Sequence, residues 1–376
     1  MVEPDVYLVV ALSGRALAVA IRRSGRRARV IDLFGDTDTR ASAEASLVVA
    51  GDFDRGFAEA ALLRAAEQLA PAAASNQFGL VYSSGLEARP ELLARLATGR
   101  RLYGNSPEIV ARTKNPRQFF ALLEQLGIPH PEVRFDRPPD AEGWLSKGAG
   151  GSGGAHVRRA GAAEAEGEEC YYQRRVAGRP IGVSFLANGR EARLIGCNEQ
   201  WTSSDGDVAE FRFGGTLQPA ALSPAVARRI PGLLAELAPA LELVGLNSLD
   251  LMVDGDRFAV IEINPRPGAN LDIYDHLQGM SLFALHVAAC DGDLPSAIPP
   301  VKMATAMSVI YAKESCLVPP DVDWPSWVAD RPAPGARSER GAPLCTVLDA
   351  SASADEARRA ITAKTAWVYS VLRPST

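Results

Sequence analysis

Two carboxylates and an amide in this chain stand at spacings that suit a cation. They lie in the stretch Asn247-Ser-Leu-Asp250-Leu-Met-Val-Asp-Gly-Asp-Arg-Phe-Ala-Val-Ile-Glu262-Ile-Asn264-Pro265-Arg266. Two apolar, β-branched runs, Leu249–Val253 and Arg257–Ile263, flank the turn formers Asp254-Gly255-Asp256, which is the pattern of a β-hairpin. Glu262 and Asn264 are two apart and share one strand face, with Ile261 and Ile263 pointing the other way. Pro265 ends the ladder because it has no N–H. A three-residue turn, at 254–256 or 255–257, puts Asp250 on the face of Glu262 and Asn264. A two-residue turn puts it on the opposite face, since one residue of slip flips every side chain. We expect the three-residue turn. Two acids on one face repel each other unless a cation lies between them. All-oxygen donors favour magnesium, which completes its shell with waters and substrate phosphates. Arg266, just past the strand, is then in reach of a phosphate or carboxylate. The competing reading is a solvent-facing strand with scattered acids.

A second chemical signal is Gly148-Ala149-Gly150-Gly151-Ser152-Gly153-Gly154, which follows Trp144-Leu145-Ser146-Lys147. It contains G-x-G-x-x-G, yet Ala155-His156-Val157-Arg158 does not begin an apolar helix, so a dinucleotide turn is disfavoured; G-x-x-x-x-G-K-[ST] is absent. A glycine hairpin whose backbone N–H groups fold over phosphates fits better, the alternative being a plain linker. Lys147 ends the strand before this loop, and Lys114 lies just before a helix at 115–127. Both sit at element boundaries from which an ammonium reaches into a cleft.

The elements that must position these groups follow from periodicity. Val6–Leu12, a helix at Arg15–Arg23 and Ala28–Phe34 read as a parallel βαβ opening. Helical patterns at Phe57–Leu69 and Pro90–Ala97 flank the apolar run Phe78–Tyr82, so the first hundred residues form a small open α/β unit. Its first turn, Ser13-Gly14-Arg15, lacks the glycine spacing of a dinucleotide site, although Asp32 stands where a ribose acid could. Beyond the loop expected at 161–169 come strands at Cys170–Val176 and Ile181–Ala187, a helix at 224–243, a β-rich region from about 301, and a helix over Ala354–Leu372.

The 376 residues are 47% apolar and 23% charged, a soluble globular balance long enough for two to four subdomains. A net charge of -5 offers no field for nucleic acid or anionic lipid. The five cysteines form no C-x-x-C pair, and His130, His156, His276 and His286 show no H-x-x-x-H spacing, so neither a zinc ribbon nor a disulfide framework is indicated. The N-terminus lacks a signal-peptide pattern and no run of 18 apolar residues occurs, so we expect a cytoplasmic protein without a membrane partner.

Taken together, these residues resemble the ATP-grasp superfamily. The order matches: an α/β preamble, Lys114, Lys147 entering a glycine flap, a hinge strand Tyr172-Gln-Arg-Arg-Val-Ala-Gly178, and a D…E-x-N-P-R hairpin. The tail, Pro334-Gly335…Glu339-Arg-Gly-Ala-Pro-Leu344 and Ala354-Asp-Glu-Ala357, is similar to that of biotin-carboxylase-type members. The resemblance implies an α/β fold with a Rossmann-like first domain (1–105), a lid subdomain with the flap (106–187), a metal-binding subdomain (188–300) and an antiparallel C-terminal domain closing the site (301–376).

It further implies that Lys114, Lys147, Gly150, Gly151, Ser152, Gly153 and Gly154 bind ATP phosphates, and that Gln173, Arg174, Arg175 and Val176 hold adenine. Asp250, Glu262 and Asn264 would ligate one or two magnesium ions (or manganese), with Arg266 and Lys147 serving catalysis. The chain departs from the family at Gln173-Arg174, at Arg179-Pro180 and at Ser248. The implied reaction activates a carboxylate as an acyl phosphate and joins it to an amine, in the manner of predicted carboligases, some linked to one-carbon cofactor biosynthesis. A bicarbonate-dependent carboxylase and a catalytically silent ATP-binding regulator are the alternatives. Substrate recognition is expected from the first domain, Trp201–Phe213 and Pro267–Tyr274, and a homodimer is a common outcome in such enzymes.

Overall fold

A computed structural model describes residues 3–53, 56–74, 77–161, 170–203, 210–275, 280–299 and 302–374. Most of the loop expected at 161–169, the middle of the Trp201–Phe213 segment, and His276 lie outside these residues.

The N-terminal part is a parallel sheet in the order Ala45–Val48, Arg27–Asp32, Val6–Val10, Phe78–Tyr82 and Arg101–Leu102. Val6–Val10 and Phe78–Tyr82 are buried along their whole length, as a parallel sheet covered on both faces requires. This is why their apolar runs do not alternate. Ser106 and Asn115 then cap two short helices, their side chains accepting from the Ile109 and Gln118 amides. The first of these, Pro107–Lys114, was not foreseen. Lys114 therefore ends one helix instead of merely preceding another, a place where the helix dipole favours its charge.

Next come a small antiparallel sheet, in the order Val157–Arg159, Trp144–Gly148, Cys170–Arg174 and Val133–Arg134, and an eight-stranded antiparallel one. The larger sheet runs Arg257–Asn264, Val244–Asp254, Arg179–Asn188, Ala192–Thr202, Phe213–Gln218, Ala304–Tyr311, Pro343–Ser351 and Val328–Ala329. The C-terminal strands thus extend the sheet that carries the acidic hairpin. On one face the Ser223-capped helix Pro224–Leu241 sinks Val226, Ile230, Leu234 and Leu237 onto Val183, Phe185, Leu249 and Leu251. On the other, Phe283 and Val287 of helix Leu282–Cys290 cover Leu186 and Leu246. The last helix, Ala354–Val371, starts with a Ser353/Glu356 capping box and packs Ala357, Ile361 and Val368 on Ala306, Ile310 and Val347. Among the described residues no helix is long and apolar enough to cross a membrane.

One ion network ties the parts together. Arg15, only 5% exposed, grips Asp272 with both terminal nitrogens (2.5 and 2.6 Å) and Asp330 through Nε (3.0 Å). Asp330 also accepts from the Ser13 hydroxyl (3.0 Å), while its own amide donates to Asp38 (2.9 Å). The turn that could have been a dinucleotide site is thus filled by an internal cation. Burial alone would raise the Asp330 carboxyl, but Arg15 overrides it and holds that group below its ordinary value. Removing Arg15 would strand two buried carboxylates. Arg15→Met should cost about 3–5 kcal/mol in urea unfolding, and a loss under about 1 kcal/mol would show that apolar contacts alone join these segments.

Candidate active site

The hairpin does bring its acids together, by a different device from the one expected. Asp254 pairs with Arg257, leaving a two-residue Gly255-Asp256 turn. A regular ladder from that turn would put Glu262 opposite Leu249. Instead a β-bulge at Ile261 adds one residue to the second strand, so Leu251 faces Val260 while Asp250 faces Glu262 and Ser248 faces Asn264. The odd residue that the geometry demands sits in the strand and not in the turn.

The pair then meets buried charge. The Lys114 ammonium bonds the Glu262 carboxylate and the Asn264 amide oxygen, the latter at 3.0 Å. The Asn264 Nδ2 donates to Asp250 Oδ2 at 3.0 Å, and Gln200 Nε2 donates to Asp250 Oδ1 at 3.1 Å. Gln200 reaches Asp250 across the intervening strand because Gly182 lies between them; a Cβ there would come within 2.6 Å of Gln200 Nε2. Burial pushes both acids up, but Lys114, with His156 and Lys147 near, holds Glu262 well below the usual range. Asp250 is left raised to about 6 by burial and by the charge of Glu262. Lys147 is buried, which lowers its pKa against the opposing pull of Glu262 and Asp250. It stands one residue inside the strand Trp144–Gly148 rather than at its end.

The donor set suits a hard divalent cation: two carboxylates and an amide oxygen on one sheet face, at a place where the fold already puts an ammonium. Among the described residues no group of three or more His, Cys, Asp and Glu side chains is placed to hold a metal.

The glycine segment is the loop of a hairpin in which Lys147 pairs with Val157. It is docked at both ends: the Phe213 amide donates to the Gly153 carbonyl at 2.8 Å, and Gly150 lies on Ala88. A Cβ on Gly150 would come within 2.6 Å of Ala88 Cα, and one on Gly154 within 2.0 Å of the Phe211 carbonyl, so side chains at either place would hold the loop off. Under it, Lys114, Gly148, Gly150, His156, Tyr171 and Glu262 line a cleft. At the hinge, Gln173 is buried with Nε2 3.5 Å from the Ile261 carbonyl. The Arg174 and Arg175 amides donate to the Glu132 and Gly143 carbonyls, both at 2.8 Å. The Arg174 side chain lies over Trp144 at the surface.

Arg266 is buried, its Nε donating to Glu87 at 2.5 Å. Glu87 also accepts from the Gly85 and Leu86 amides (2.7 and 3.1 Å), and it sits beyond the carboxyl end of strand Phe78–Tyr82, where open α/β sheets hold ligands. Tyr82, Ser83 and Asn105 reach the carbonyls of Pro265 or Pro267 at 2.8–3.1 Å. Sequence reasoning missed Glu87, Gln200 and His156. Gly182 inside an apolar strand was a usable signal for Gln200; Glu87 had none.

Two outcomes follow. Glu87→Gln keeps the shape but removes the counter-charge of buried Arg266, and should cost about 3 kcal/mol, read as a lowered melting temperature. Asp250 must shed its proton to ligate, so Mn²⁺ affinity of the nucleotide-free protein should fall about tenfold per pH unit below the carboxyl's pKa of about 6 and level off above it. A flat profile from pH 5 to 7 would remove Asp250 from the ligand set.

The sequence matches the ATP-grasp domain family over residues 113–270, the span from Lys114 to the end of the hairpin. No curated protein matches it. Solved structures are similar in fold at low identity. Biotin carboxylase from Campylobacter jejuni superposes with a TM-score of 0.73 at 16% identity, covering 99% of this chain and 92% of that one. L-amino acid ligase from Bacillus licheniformis gives 0.69 at 14%, covering 100% of both. N5-carboxyaminoimidazole ribonucleotide synthetase from Thermotoga maritima gives 0.68 at 15%, covering 99% and 100%. Residues 113–270 of this chain match the ATP-grasp domain, and the chain as a whole has a biotin-carboxylase-like fold.

Proposed function

We propose that this protein is an ATP- and magnesium-dependent ligase that activates a carboxylate as an acyl phosphate and transfers the acyl group to an amine. The observation that carries the reading is the convergence of Asp250, Glu262 and Asn264 with buried Lys114 and Lys147 beneath the glycine loop. Oxygen ligands and ammonium groups side by side suit a divalent cation that arrives together with a polyphosphate.

In this reading ATP fills the cleft, with its adenine against the hinge backbone around Gln173–Val176 and its phosphates beneath Gly150–Gly154. Lys114 and Lys147 neutralise the phosphates. Magnesium, held by Asp250, Glu262 and Asn264, would neutralise charge on the transferring phosphoryl group. A substrate carboxylate oxygen bonds to the γ-phosphorus as the bond to the β–γ bridging oxygen breaks, and ADP leaves. Arg266, fixed by Glu87, steadies the charge on the resulting acyl phosphate. The amine then bonds to the acyl carbon, phosphate departs, and the amine proton passes to solvent or phosphate. Catalysis of this kind is mostly positioning and charge neutralisation.

The names of two structural neighbours, an L-amino acid ligase and N5-carboxyaminoimidazole ribonucleotide synthetase, fit this class. The likeness to biotin carboxylase over 99% of the chain supports a second reading, a bicarbonate-dependent carboxylase. ADP release across panels of acids and amines, with hydroxylamine trapping the acyl phosphate as a hydroxamate, separates them. The ligase should show acid-dependent ADP release and hydroxamate, and Glu262→Ala should cut both by about 10²–10³-fold. ADP release that needs bicarbonate and no other acid would favour the carboxylase. A Glu262→Ala protein as fast as the parent would sink both.

A further inference from the structure

We infer that His156 is a phosphate-contacting residue of the glycine loop, its Nδ1–H donating to the triphosphate of the bound nucleotide. The inference rests on the ATP reading above and adds to it a group that neither the glycine pattern nor the acidic hairpin assigns.

His156 ends the loop, one residue before Val157 pairs with Lys147. Its ring lines the same cleft as Lys114, Gly148, Gly150, Gly151 and Glu262. Nδ1 is buried there without a well-formed hydrogen bond, although the Ser152 backbone lies near the ring. Buried ring nitrogens are costly in that state and ordinarily paired, as other histidines of this chain illustrate. His286 uses both nitrogens, Nδ1 accepting from the Leu246 amide (2.9 Å) and Nε2 facing the Tyr103 carbonyl (3.1 Å). His130 has its Nδ1 2.8 Å from the Pro131 carbonyl. The unpaired atom of His156 therefore faces a place that something else fills.

The loop is shaped to hold the ring where it stands. Gly151 lies against the imidazole so closely that a Cβ would fall 2.2 Å from His156 Cγ. Any side chain at 151 would push the ring out of the cleft. The surroundings choose the partner. The groups near the ring are the ammoniums of Lys114 and Lys147, the carboxylate of Glu262 and the Ser152 backbone, and burial, the dominant influence, favours the neutral imidazole. A neutral ring offers a donor without adding a third positive charge beside two lysines. A donor next to two ammoniums and a run of glycine amides matches the oxygens of a phosphate chain, whose negative charge a purine base lacks.

Calorimetric titrations with MgATP and with adenosine, on the parent, His156→Ala and His156→Asn, test this. His156→Ala should weaken MgATP about 10- to 100-fold, the range for a hydrogen bond to a charged group, and leave adenosine within about twofold. His156→Asn, whose amide N–H can take the place of Nδ1–H, should restore MgATP binding to within about threefold. MgATP binding unchanged in His156→Ala would overturn the inference. So would an equal loss for adenosine and MgATP, which would mark a role in folding the loop. Failure of the parent to bind MgATP would instead overturn the ATP reading itself.

Discussion

Asp250 and Glu262 face each other across a hairpin, on a sheet whose other side is packed with leucine and isoleucine. Two carboxylates drawn out of water at that separation repel each other and lose hydration, so the fold must supply positive charge or give up their ionisation. It does part of each. Lys114 arrives from a helix end to hold Glu262 ionised, and Asp250, hydrogen-bonded to the amides of Asn264 and Gln200, keeps a carboxyl raised to about 6. Two acids and two lysines come close to charge balance. A divalent cation placed there together with a polyanion would disturb that balance less than the polyanion alone.

That arrangement constrains its surroundings. Arg266 leaves the hairpin end and is locked by Glu87, which lies in the turn that follows a central strand of the N-terminal sheet. Tyr82, Ser83 and Asn105 strap the same turn through its carbonyls. The floor of the site is therefore assembled from two sheets that meet at the carboxyl end of the parallel one. Arg15 repeats the principle some distance away, joining a helix start, Asp272 and Asp330 by buried charge. The cover is built differently. The glycine loop rests on Ala88 and Phe211 at close approach, its glycines letting the backbone come down against that floor.

Much of this was readable in one dimension. The acidic hairpin, both lysines, the glycine loop and the arginine past the strand stand within short windows, where period and turn chemistry act locally. The turn itself was misjudged, because a bulge at Ile261 leaves no mark in a run of β-branched residues. The helix Pro107–Lys114 was missed although Ser106-Pro107 is a fair start signal, since eight residues give only a weak period. Glu87 was invisible for a different reason: it joins the site only through Arg266, far away in the chain.

By itself the sequence determined which residue types were available and on which local elements they would sit: paired acids on a hairpin, a lysine at a helix boundary, a side-chain-free loop. Parity along a strand already required an odd residue somewhere between Asp250 and Glu262 if the acids were to share a face. Where that residue went, which cation met the acids, and what held Arg266 were decided only when the sheets packed. Those choices depend on desolvation and on Coulomb forces between groups far apart in the chain, and neither acts at full strength until water has been excluded from between them.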